Sequence, residues 1–164
     1  MRKTIFLLIL AVVFTFFLMA EEKKDVDMEK EKAAIKETAL NYLEGWYEGS
    51  AERMDKALHP EVVKRAPHPF PPTGGMILNS ASKSNMVEFT KAGFGKKFPK
   101  DKLKITVDIL DMYKHIATAK TTTPQFIDYI HLVKMDGEWK IINVLWESTQ
   151  PPQPPPPPPP KEKE

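Results

Sequence analysis

The chain has 164 residues, with 24 Lys plus Arg against 22 Asp plus Glu and no cysteine. A charge this near balance excludes the basic footprint of a nucleic-acid binder. The missing cysteines exclude disulfides, thiolate chemistry and Cys-ligated zinc or iron-sulfur centres.

Residues 1–20 open with "MRK", run apolar and uncharged from Ile5 to Met19, and end at Ala20 before "EEKKD". This is the pattern of a cleaved signal peptide. A bilayer span needs about 20 apolar residues, more than this run holds. The expected product is therefore exported, to periplasm or extracellular space. The alternative is a chain anchored in the membrane by an uncleaved segment, its one expected membrane contact. Taking Arg2 and Lys3 away with the leader leaves 22 basic residues, which balance the 22 acidic ones. Residues 21–28 read as a charged linker, 29–148 as one folded domain, and 149–164 as a disordered proline-rich tail. Seven consecutive prolines from Pro154 to Pro160 predict a stiff polyproline spacer there.

Within the domain the periodicity switches once. Ile35, Ala39, Tyr42, Leu43, Trp46 and Tyr47 recur at helical spacing and predict an amphipathic helix closed by Gly49 and Ser50. Ser50 can cap a short second helix, "AERMDKALH", ended by Pro60. "EVVKRA" reads as a short strand, "PHPFPPTGG" as an irregular loop and "MILN" as a second strand. Ser82 or Ser84 caps a third helix carrying Met86, Val87, Phe89 and Thr90, which fails by Gly93 or Gly95.

Beyond Lys100 the pattern alternates. Leu103, Ile105, Val107 and Ile109 share one face, "HIATAKTTT" is thinner and β-branched, and two runs hinged on Asp136–Gly137 form a hairpin. Two turns fit that hinge. A two-residue type I′ turn pairs Ile130 with Asn143; a type I turn with a Gly137 bulge pairs Tyr129 with Asn143, and is the preferred form. Strict alternation puts Trp139, Ile141, Asn143 and Leu145 on one face of the last strand, and Lys140, Ile142, Val144 and Trp146 on the other. Both faces are largely apolar, so the excess apolar face needs cover from helices or from a second chain. The class is α+β: three helices in the N-terminal half, packed on a strongly curved antiparallel sheet.

A helix ending "NYLEGWYEGSAERMDKALHPE", a mid-chain helix and a final "VKMDGEWKIINVLW" resemble the nuclear transport factor 2-like (NTF2-like) superfamily. Within it they are most similar to the small bacterial family labelled putative lumazine-binding, over about residues 29–147. The resemblance implies a cone with a pocket between sheet and helices, often in a homodimer formed through the sheet. It implies no single chemistry, because the fold hosts enzymes and binding modules alike. Against ketosteroid isomerase, a superfamily member with an Asp base and a Tyr/protonated-Asp oxyanion hole, the oxyanion pair falls on Tyr42 and Asp128. The base position falls on Ala66, which cannot take a proton.

The candidate ligand-binding residues are Tyr42, Trp46, His59, Asp128, Tyr129 and Asn143. Tyr42 and Trp46 are core aromatics whose polar tips need partners once buried. Asp128 is an exposed strand residue or a pocket acid. Asn143 interrupts an apolar strand, where a buried amide must be satisfied. His59 sits in His-Pro at a helix end, where a cation satisfies terminal carbonyls or a base serves a pocket. His68, His115 and His131 read as a loop, a strand start and a sheet face. No metal-ligand spacing links the four histidines, and no metal or cofactor is expected. The favoured function is noncatalytic binding of a small hydrophobic or planar molecule. The alternatives are a dehydratase- or isomerase-like enzyme and a structural dimerisation module.

Overall fold

A computed structural model describes residues 27–150, so the leader and the proline tail lie outside the described residues. Helix α1 occupies 27–48, with Ile35, Ala39, Tyr42, Leu43 and Tyr47 buried along one stripe. Gly49, at φ +69°, ends it in the left-handed region that favours glycine. Helix α2, Ala51–Ala57, starts where the Ser50 side chain accepts from the Arg53 N–H. Helix α3, Lys83–Lys91, starts with a reciprocal cap between Ser82 and Asn85 and buries Met86 and Thr90.

Six strands follow or interleave: β1 Leu58–Phe70, β2 Gly75–Ser82, β3 Thr106–Tyr113, β4 Ile116–Thr122, β5 Phe126–Met135 and β6 Glu138–Ser148. They form one sheet in the order β2-β1-β6-β5-β4-β3. Every neighbouring pair is antiparallel except β1 and β6. The helices cover one face, and the core lies between them and Ala119, Ile130, Leu132, Trp139, Ile141 and Val144.

Two local expectations are corrected. The segment read as the loop "PHPFPPTGG" is strand up to Phe70, where Pro67 pairs with Leu78 and Pro69 with Met76. Proline is tolerated because β2, the partner, is an edge strand and the ladder here lies at the rim of the sheet. The preferred Gly137 bulge is also replaced. Asp136 and Gly137 both have positive φ, 52° and 84°, and Met135 faces Glu138, which is the two-residue type I′ geometry.

A bulge does occur, but deeper in the strand. Leu132 faces Ile141 while His131 faces Asn143, so Ile142 is the extra residue. That insertion exchanges the faces of the outer half of β6. Trp139, Ile141, Val144 and Trp146 turn to the helices, and Asn143 and Leu145 turn away. The strict alternation expected from the sequence stops at Ile141. A second bulge at Leu110 does the same in β3, bringing Met112 rather than Asp111 to the inner face.

Candidate functional site

The ladders place the inner-face side chains in rows. Thr121 lies opposite Asp128, and Asp128 opposite Trp146. In the next row Lys64 of β1 lies beside Val144, which faces Ile130. Lys64 reaches from its own row to the next, and its Nζ donates to Asp128 Oδ1 at 2.8 Å and to the Tyr42 hydroxyl at 2.5 Å. The Tyr42 hydroxyl in turn donates to Asp128 Oδ1 at 3.3 Å, and the Thr121 hydroxyl donates to Oδ2 at 3.1 Å. The Asp128 side chain is 1% exposed and the Lys64 side chain 12%, so this ion pair is withdrawn from water.

Aromatic rings wall the ammonium. Lys64 Nζ lies 4.6 Å from the Trp146 ring centroid, 5.3 Å from that of Tyr42 and 6.0 Å from that of Phe126. Phe126 and Trp146 meet edge to face at 5.1 Å. Such rings favour a cation over their faces. Behind them the Tyr47 hydroxyl donates to Thr123 Oγ1 at 2.9 Å.

Burial sets the proton affinities. It pushes the Tyr42 phenol well above 10.0, and the charge of Asp128 adds to the rise. Burial raises Tyr47 as well, against the hydrogen bond to Thr123. It holds the Lys64 ammonium below the usual lysine range, although Asp128 pulls the other way. Tyr42 thus stays protonated in the folded chain after an unfolded tyrosine would ionise. The folded state then holds more protons, so this contribution to stability is intact below about pH 10 and lost as pH rises beyond it. Lys64 has the opposite sign: its contribution grows as pH climbs from its lowered folded pKa toward the unfolded value. Urea titrations of Tyr42→Phe across the alkaline range should show a shallower decline than the parent chain, by up to about 1.4 kcal/mol per pH unit. A decline of unchanged slope would place the titration elsewhere.

Of the sequence candidates, the fold brings Tyr42 and Asp128 together, as the resemblance implied. Ala66 is buried on the same inner face. The other four stand apart. Trp46 is half-buried against the 3₁₀ turn Gly95–Lys97, so closely that a Cβ on Gly95 would run into the Trp46 carbonyl and indole. His59 belongs to β1, and its Nδ1 accepts the Glu61 N–H at 3.1 Å, so it does not cap helix carbonyls. His68 is likewise in β1 rather than a loop. Tyr129 and Asn143 lie on the outer sheet face, where Arg65 donates to Asn143 Oδ1 at 2.8 Å and the Asn143 amide meets His131 Nδ1 at 3.3 Å.

Lys64 was missed. Its signal was present: Val62, Lys64 and Ala66 share one strand face, and a cation between two small apolar residues is an ionisable group turned inward. A groove of about 450 Å³ lies farther along the same layer, between α1 and β3, lined by Lys36, Leu40, Ile105, Thr106, Val107 and Asp108. Val107 pairs with Thr121, so groove and cluster are joined by one cross-strand row: Val107, Thr121, Asp128, Trp146.

An NTF2-like protein of unknown function from Shewanella baltica OS155 superposes with a TM-score of 0.57 at 16% identity, over 74% of this chain and 96% of that one. The hexachlorocyclohexane dehydrochlorinase LinA-type3 of Novosphingobium barchaimii LL02 superposes with a TM-score of 0.54 at 10% identity, over 77% and 91%. At these identities the likeness is one of fold. By sequence, the aldolase FrzH of a Cladobotryum species is 25% identical over 127 residues, 70% of this chain and 89% of its own length. The family model described as putative lumazine-binding matches residues 30–147. With that match spanning most of its length, the chain belongs to the putative lumazine-binding family, and its helix-covered sheet is an NTF2-like fold.

Proposed function

We propose that this protein is an exported small-molecule-binding module, dimeric through its outer sheet face, that holds its ligand on the inner face without turning it over. The observation that carries this reading is the Lys64–Asp128–Tyr42 cluster. It offers a cation, an anion and a hydroxyl within hydrogen-bond reach of one another, walled by Trp146 and Phe126. Such a setting suits a planar molecule with one polar edge, the class that the family label names. The apolar body of the ligand would extend along the row toward Val107 and the groove. No hydrogen bond joins any of the four histidines to this cluster: His59 Nδ1 accepts from the Glu61 N–H and His131 Nδ1 meets Asn143, which disfavours a histidine base there. For the dimer, the support is the outer face itself, where Tyr129 is 47% and Leu145 48% exposed in adjacent strands.

A second reading has one observation in its favour. Lysine with a depressed pKa is a nucleophile, and a relative of this chain is named an aldolase. Native mass spectrometry of the protein from its own envelope, with fluorescence titration of lumazine, separates the readings. A dimer carrying one small molecule per subunit, released unchanged, is the expected result. Lys64→Met should lose that ligand, while Tyr129→Ala keeps it and weakens the dimer. Conversion of the released compound by the parent chain would replace binding with catalysis, and ligand loss in Tyr129→Ala alone would move the site to the outer face.

A further inference from the structure

We propose that Lys64 captures aldehydes and ketones covalently and reversibly, as an iminium at its Nζ. This rests on the inner-face site proposed above and gives its ligand a chemical class: small apolar carbonyl compounds. Three features of the geometry support it. Lys64 is the least enclosed member of the cluster, its side chain 12% exposed beside an almost fully buried carboxylate. A proton acceptor, Asp128 Oδ1, lies 2.8 Å from Nζ, and a hydroxyl that stays protonated lies at 2.5 Å. The Trp146, Tyr42 and Phe126 rings around Nζ accept an apolar substituent as readily as they accept a cation. The burial that lowers the lysine's proton affinity raises the fraction of neutral amine relative to a surface lysine.

The steps balance without an added reagent. Lys64 passes one ammonium proton to Asp128, and the neutral amine attacks the carbonyl carbon, forming the C–N bond. The carbonyl oxygen takes the Tyr42 hydroxyl proton, and Tyr42 recovers a proton from the new secondary ammonium, leaving a carbinolamine. Asp128, now a carboxylic acid, protonates the departing hydroxyl. Water leaves, and a cationic iminium remains paired with the Asp128 carboxylate. Nothing is oxidised or reduced, and addition of water reverses the sequence. Iminium and ammonium carry the same charge, so the ion pair and the aromatic cage that hold one also hold the other.

The test is reductive trapping of the full folded protein with benzaldehyde, and separately with cyclohexanone, using cyanoborohydride near neutral pH. Adducts are then mapped by peptide mass spectrometry. The expected result is a predominant adduct on Lys64, forming faster than adducts on surface lysines because burial favours its neutral amine. Tyr42→Phe should slow trapping at Lys64 while surface lysines react as before, which serves as the control for folding. Labelling spread over surface lysines without excess at Lys64 overturns the inference. The binding reading is scored separately: a lumazine titration that saturates with no preferred trapping at Lys64 keeps the noncovalent site and removes covalent capture. Failure of both removes the inner-face site as well.

Discussion

Asp128→Asn lowers folding stability by about 3–5 kcal/mol, and adding Lys64→Met to the same chain recovers most of that loss. The Asp128 side chain is 1% exposed and that of Lys64 12%, so each charge has given up hydration and holds the other as its replacement. Asparagine keeps the contacts with Thr121 and Tyr42 but removes the counter-charge. The lysine must then remain charged without it or surrender its proton, and either course costs free energy. Methionine at 64 has nothing to neutralise and packs against Trp146 and Phe126. A double-mutant cycle read by urea titration should give a coupling well beyond the roughly 0.5 kcal/mol expected of independent sites. Additive losses would show that the pair contributes contacts and no charge compensation. The single variant uses up much of a typical total stability of about 5–15 kcal/mol, so it should be measured well below the parent's melting temperature.

Trp139→Ala should be comparably damaging, at about 3–5 kcal/mol, for a different reason. Trp139 is 4% exposed in the core beneath α1. Its Nε1 donates to Glu31 Oε2 at 2.8 Å, and Lys134 holds Oε1 of the same carboxylate at 2.5 Å. The Thr38 hydroxyl also donates to the Trp139 carbonyl at 3.2 Å. One residue therefore fastens the hairpin of β5 and β6 to the first turns of α1. Trp139→Phe keeps the ring packing and removes the hydrogen bond to a charged group, which predicts a smaller loss of about 1.5–3 kcal/mol. The difference between the two variants in a denaturant titration measures the cavity. If Phe and Ala cost the same, the hydrogen bond dominates and the core there is more accommodating than its burial implies.

Local chemistry is enough to determine much of this protein. The stripe from Ile35 to Tyr47 has one period and one buried face, so α1 follows from the sequence. The Ser50 cap, the Ser82 cap and the Asp136–Gly137 hinge each depend on a few adjacent residues, and each lies where those residues place it. The pairing of Tyr42 with Asp128 was readable through the family resemblance, although periodicity by itself showed only that both lie on faces that could be buried.

Tertiary structure decided which side chains share the site. In "VVKRA" the cations Lys64 and Arg65 alternate, and the small apolar neighbours Val62 and Ala66 favour Lys64 for the inner face without fixing it. The parallel ladder to β6 decides it, placing Lys64 beside Val144 and Arg65 beside Leu145. In "IINV" both faces of the strand are apolar enough to tolerate either register, so the bulge at Ile142 leaves no mark on the pattern. That single extra residue turns Val144 into the core and Asn143 onto the outer face with His131. A strand has a side-chain period of two, so one inserted residue reverses every later assignment. The choice is made by how much apolar surface each register buries against the helices, a quantity that exists only once β6 lies between β1 and β5.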